Sequence, residues 1–129
     1  MSVRAFRHVA LSVRDLDRSV AWYTDVLGFE TLFRESGPER SAAVMRIPDT
    51  DVVVGLVEFA ARDSDSFSPR RTGLDHLCFA VASREALDEW QQRLDAYGVE
   101  HSGIGGTGAG TMLNFKDPDG IALALAVPF

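Results

Sequence analysis

A single cysteine, Cys78, excludes any internal disulfide framework. The fold must therefore rest on its core, and a reducing compartment, the cytoplasm, is the expected location. Basic residues are also scarce: 13 Lys and Arg stand against 19 Asp and Glu, a formal charge of −6. The only tight basic pair is Arg70-Arg71. A surface that tracks phosphates needs clustered cations, so no nucleic-acid partner is expected. The acidic field weakly favours cationic small ligands. Long apolar runs are missing too. The longest, Val52-Val53-Val54-Gly55-Leu56-Val57, is the length of a strand, so no membrane partner is expected. The N-terminal stretch lacks the apolar block and small-residue cleavage site of a signal peptide. What is present is ordinary globular usage, 46% hydrophobic and 25% charged over 129 residues, enough for one domain with its own core.

The chain repeats itself. His8 and His76 stand 68 residues apart, as do Val13 and Val81, and Trp22 and Trp90. With two more residues in the second copy, Gly28-Phe29-Glu30 falls on Gly98-Val99-Glu100. Each copy opens with an alternating, Val- and Leu-rich run, residues 6–13 and 74–81, which reads as a strand. Asp15 and Ser83 then sit where helix N-caps belong. Apolar stripes follow at helical spacing, Leu16, Val20, Tyr23 and Leu27 in one copy and Leu87, Trp90, Leu94 and Tyr97 in the other. Gly28 and Gly98 stop them.

Three strand-sized runs come after each helix: 29–35, 41–47 and 52–59, then 99–102, 110–116 and 121–127. The turn signals Gly37-Pro38, Pro48-Asp49 and Asp117-Pro118-Asp119-Gly120 divide them, as does the Gly-rich stretch 103–110. That stretch lacks the Gly-Lys-Ser/Thr ending of a phosphate loop and reads as a mobile connection over a cavity mouth. The fold class is α+β with mixed sheets: a single domain over 1–129 made of a βαβββ module at 1–61, a linker at 62–72 and a second module at 73–129. One helix covers one face of each sheet, so the other faces are expected to meet as a curved half-barrel around a cavity. If His8 points in, so do Ala10 and Ser12, and His76 brings Cys78 and Ala80 with it. Small residues beside each histidine leave room for a ligand. Trp22 and Trp90 read as helix-to-sheet packing, and His101 as a surface strand residue. Cys78 reads as a small hydrophobe beside the cavity.

These residues resemble the vicinal oxygen chelate superfamily, the glyoxalase, bleomycin-resistance and extradiol-dioxygenase group. The resemblance is carried by His8-Val9-Ala10-Leu11-Ser12-Val13-Arg14-Asp15-Leu16 and by Trp22-Tyr23 through Gly28-Phe29. In the second module it is carried by Gly73 through Val81 and by the Asp117-Pro118-Asp119-Gly120 turn. It implies paired βαβββ modules, a homodimer with shared cavities in which modules pair within or across subunits, and one divalent metal ion. The ligand positions it implies are His8 and His76, with carboxylates at positions that here hold Gly55 and Ala124.

Both carboxylates are therefore missing. Catalytic zinc takes three protein ligands, and non-haem iron takes two histidines and a carboxylate. Two neutral imidazoles leave the ion's charge unbalanced, and a glyoxalase-type general base is lost as well. Glu58 and Asp75 are expected to face away by alternation, while Glu30, Glu35 and Glu100 need a register shift to serve. Asn114 is a neutral stand-in on the penultimate strand. The expected function is a small-molecule-binding protein with a degenerate metal site, holding an organic ligand near Ser12, Cys78 and Asn114. The alternative is a metal-dependent lyase, isomerase or dioxygenase using His8, His76 and an unrecognised third ligand. The two readings differ in cofactor, none or one divalent ion. In a third reading the two histidines are hydrogen-bonded core residues.

Overall fold

The computed structural model describes residues 1–108 and 110–129, Thr107 by its backbone alone. The chain divides into two compact units, Met1–Ser64 and Asp65–Phe129. The first contains β1 (His8–Ser12), α1 (Leu16–Asp25), β2 (Glu30–Ser36), β3 (Arg40–Arg46) and β4 (Val53–Phe59). The second contains β5 (Leu77–Ala80), α2 (Arg84–Ala96), β6 (His101–Thr107), β7 (Gly110–Lys116) and β8 (Ala122–Ala126). Each is a four-stranded mixed sheet with one helix. The strand orders, β1-β4-β3-β2 and β5-β8-β7-β6, are the same. In both units the first strand runs parallel to the last, and the remaining neighbours are antiparallel.

The helices begin and end on local signals. Asp15 accepts from the Arg18 amide at 3.1 Å and Ser83 accepts from the Ala86 amide at 3.2 Å, each satisfying one orphan N–H of the first turn. Gly28 and Gly98, at φ 75° and 69°, let the chain leave each helix in the left-handed region that other residues avoid. At α2 the Val99 amide donates to Leu94 O and the Gly98 amide to Asp95 O, closing the last turn.

Each sheet buries the side chains on one face. In the first unit Leu11, Val54, Leu56, Ala43 and Met45 are buried there, and Glu58 on the same face reaches the start of α1, where its Oε1 accepts from the Leu16 amide at 3.3 Å. Glu58 thus does lie opposite His8 in strand parity, and it serves as an acceptor for a helix N-terminus. In the second unit Phe79, Leu113, Phe115, Leu123 and Leu125 are buried together with Leu87 and Leu94 of α2. Truncating one such leucine to alanine costs about 2–5 kcal/mol.

Three expectations need correction. The stretch from Gly103 is not a loose connection: β6 runs through it to Thr107, and Ala109 lies outside the described residues. A bulge between His101 and Ile104 absorbs its irregularity, with Gly103 at φ 74°. His101 is only 15% exposed and is more than a surface residue. Its Nε2 bonds Asp95 Oδ1 at 2.6 Å, and its Nδ1 accepts from the Gly103 amide at 3.0 Å, tying the end of α2 to the bulge. Tyr97, the last residue of the second apolar stripe, is 51% exposed, since α2 ends at Ala96. Arg93 lies over its ring and over that of Trp90, at 5.4 and 5.7 Å, so a guanidinium from the last turn of the same helix packs on both. In α1 the fully buried aromatic is Tyr23, with Trp22 half-buried and edge-on to it at 5.0 Å.

Candidate functional site

The face of each sheet opposite the buried leucines carries the residues singled out by the sequence. In the first unit His8, Ala10 and Ser12 are exposed along β1, whereas Leu11 between them is buried. Across the sheet the register sets Ala10 beside Gly55, Gly55 beside Val44 and Val44 beside Phe33. One row therefore runs from the smallest side chains to an aromatic ring that is 53% exposed. The neighbouring row sets His8 beside Val53, Arg46 and Glu30. Glu30 Oε1 takes two hydrogen bonds from the Arg46 guanidinium, at 2.8 and 2.5 Å. That carboxylate is engaged by its own sheet. Glu35 is on the exposed edge strand, beside an open depression of about 290 Å³ that residues 35–40 and Ala42 line.

His8 is held in a defined way. The Arg7 guanidinium approaches its Nδ1 at 3.1 Å. A guanidinium only donates, so Nδ1 must accept, which leaves the ring proton on Nε2. In this pairing neither ring nitrogen offers a free lone pair to a metal.

In the second unit the exposed positions are Cys78 and Ala80 of β5 and Asn114 and Lys116 of β7. The register brings Cys78 beside Ala124, Ala124 beside Asn114, and Lys116 beside Ala122. Ala124 is itself fully buried at the floor of this face. Burial pushes the Cys78 thiol above its ordinary pKa, which makes it a poor nucleophile at neutral pH. The backbone amide of Asn114 is taken up by Ser102 Oγ at 3.0 Å.

His76 immediately precedes β5, so strand alternation does not govern its neighbour Asp75. Contrary to the expectation that Asp75 faces away, its Oδ1 lies 2.7 Å from His76 Nδ1. A carboxylate only accepts, so Nδ1 donates, and in the neutral ring Nε2 carries the lone pair. The pair is exposed, the two side chains retaining 46% and 76% of their surface. Glu100 is likewise exposed, just before β6.

The donor set can be tested against a divalent ion. Ala124 has no donor atom, and neither has Gly55. A Cβ built at Gly55 would come within 3.3 Å of the Ala10 Cβ, closer than ordinary contact, so this register favours glycine there over a longer side chain. Among the described residues no three His, Cys, Asp or Glu side chains converge as a metal-holding group. The residues do not fit a three-ligand centre of glyoxalase or dioxygenase type. The Asp117 turn is structural: its buried carboxylate accepts from the Asp119 and Ile121 amides at 2.8 and 2.9 Å, with Gly120 at φ 78° completing the reversal. The sequence reading missed the roles of Glu58 and His101. Only for His101 was there a signal, a histidine beside a glycine-bearing irregularity; that of Glu58 depends on how β4 meets the start of α1.

Comparison with known proteins agrees with this architecture. Residues 5–125 match the Glyoxalase/Bleomycin resistance protein/Dioxygenase superfamily. The crystal structure of a glyoxylase/bleomycin resistance protein/dioxygenase domain from Frankia sp. EAN1pec is 36% identical. It superposes with a TM-score of 0.90 over 99% of this chain and 100% of that one. Catechol-2,3-dioxygenase of Bacillus subtilis (strain 168) is 31% identical over 86% of this chain, which spans only 36% of that enzyme's length. A mutant of the fosfomycin resistance protein FosX from Listeria monocytogenes, crystallised with Mn(II) and 1S,2S-dihydroxypropylphosphonic acid, shares the fold. Its TM-score is 0.75 at 22% identity, with coverage of 99% of this chain and 93% of that one. No described helix is long and apolar enough to cross a membrane. With its two βαβββ units and its match along nearly the whole length, the chain belongs to the glyoxalase/bleomycin resistance protein/dioxygenase superfamily.

Proposed function

We propose that the protein binds a small organic molecule on the helix-free faces of its βαβββ units, with a metal site that has degenerated. The observation that carries this reading is the chemistry at two positions: Gly55 and Ala124 stand where the family resemblance calls for carboxylates. The surrounding side chains support it. Ala10, Ser12, Cys78 and Ala80 are small, exposed positions of β1 and β5, with the buried Gly55 and Ala124 beside them. Ser12, Cys78 and Asn114 supply polar contacts without a charge that would need a metal to offset it. We propose in addition that the protein acts as a cytoplasmic homodimer, which light scattering at micromolar concentration checks.

A second reading, a metal-dependent lyase, isomerase or dioxygenase, has one observation on its side. The Asp75–His76 pair is how a metal-binding imidazole is commonly oriented, with Nε2 left free. A thermal-shift screen of small organic acids, amines and aromatics, run with and without EDTA, separates the two. Stabilisation by a ligand that is indifferent to EDTA is expected, because whatever binds the folded state raises the melting temperature by mass action. Ligand stabilisation that EDTA abolishes would favour the enzyme reading instead.

A further inference from the structure

Lys116 is the sole lysine among the 13 basic side chains of the chain. It is exposed at the end of β7, on the face opposite the buried Leu113 and Phe115 and on the same face as Asn114. Its register partner is Ala122, and Asn114 is partnered by Ala124, itself beside Cys78. The ammonium thus rises beside the half-buried Ala122, with a primary amide one step along its own strand. Cys78 pairs with Ala124 and Ala124 with Asn114, so Cys78 stands two strands from Asn114. At ~4.8 Å per strand that is a span of roughly 10 Å, the width of a small aromatic acid.

Of the other cations of the unit, Arg71 pairs with Asp65 and Arg84 with Asp88, each at 3.5 Å, Arg93 lies over two aromatic rings, and Arg70 stands in the exposed turn well before β5. Lys116 has no carboxylate within ion-pair distance among the described residues. In a chain of net charge −6 it is an exposed cation beside the half-buried Ala122.

We propose that this face of the second unit is a carboxylate-recognition site. The Lys116 ammonium and the Asn114 amide N–H groups donate to the two oxygens of a small monoanionic acid, and the acid's apolar body lies over Ala122 and Cys78. This deepens the reading of the protein as a small-molecule binder and rests on it. It reverses the preference for cationic ligands that net charge alone suggests, because a ligand at contact distance meets the local charge before the mean field.

The test is an amide chemical-shift titration of the full chain at low salt with three probes of one shape: benzoate, benzamide and benzylamine. Benzoate is expected to bind about fivefold more tightly than benzamide, the worth of one exposed charge pair, and to shift the amides of Asn114, Lys116, Ala122 and Ala124. Benzylamine is expected to bind weakest. Lys116→Gln should abolish the preference, Lys116→Arg should keep most of it, and Arg84→Gln should leave it unchanged. Equal binding of the three probes, or a benzoate preference that survives Lys116→Gln, would overturn the carboxylate site while leaving small-molecule binding standing. Failure of all three probes together with a blank thermal-shift screen would overturn both.

Discussion

His8 and His76 hold corresponding places at the start of the two units, and their rings are presented in opposite ways. His8 accepts from Arg7 at Nδ1, so its outer nitrogen keeps the proton. His76 donates to Asp75 from Nδ1, so in the neutral ring its outer nitrogen carries the lone pair. The helix-free faces around them diverge in the same sense. The first unit sets Val44, Val53 and an exposed Phe33 across its sheet, whereas the second sets Cys78, Asn114 and Lys116 over alanines. The buried faces and the helix ends are alike by contrast. The repeated features are those that folding requires twice, and the side chains that differ are the ones free to be shaped by a ligand.

The sharpest break of this likeness in stability should come from the turns that feed the last strand of each unit. Asp117→Ala removes two charge-assisted bonds from a buried carboxylate and should cost about 3 kcal/mol in chemical denaturation. The matching turn in the first unit is held by exposed Thr50, whose Oγ1 donates to Ile47 O at 2.8 Å and accepts from the Val52 amide at 3.1 Å. Thr50→Ala should cost about 1 kcal/mol or less. Equal costs would mean that the second turn is no better built than the first. At the helix starts the units should instead agree, Asp15→Ala and Ser83→Ala each costing about 1 kcal/mol. The smallest effect is expected at Asp49, the residue of the first unit's turn that takes a positive φ, 62°, one position earlier than Gly120 does at 78° in the second. Asp49→Gly should be neutral or stabilising by up to about 0.5 kcal/mol, since glycine removes the left-handed strain and returns part of the gain as chain entropy.

Most of the architecture is legible in the sequence because it rests on local rules. The alternation around Leu11, the caps Asp15 and Ser83, and Gly28 and Gly98 each follow from neighbours within a turn. The failures come where a distant group decides. Gly103 to Thr107 read as a loop, yet the Ile104 amide finds Gln91 Oε1 at 3.2 Å and the Gly103 amide finds the His101 ring, and these bonds hold the run against α2 as a strand. Asp75 was assigned by strand parity, which lapses because β5 begins only at Leu77. Lys116 gave no signal by itself. It acquires meaning only when register places it beside Ala122, on the face it shares with Asn114. The histidines and the vacated carboxylates were readable from a family pattern, but the hands that hold the two imidazoles were not.

The central claim is that these faces serve an organic ligand and no longer assemble a metal centre. Isothermal titration of the native chain with Mn(II) and Zn(II), after dialysis against a chelator, tests it most directly, with His8→Ala, His76→Ala and Ala124→Glu alongside. The native protein is expected to show no one-per-chain binding tighter than about 0.1 mM, a range in which a lone surface histidine suffices. Ala124→Glu should gain affinity by adding a donor to the face that His76 adjoins. Stoichiometric submicromolar binding by the native chain, lost in both His8→Ala and His76→Ala, would contradict the account.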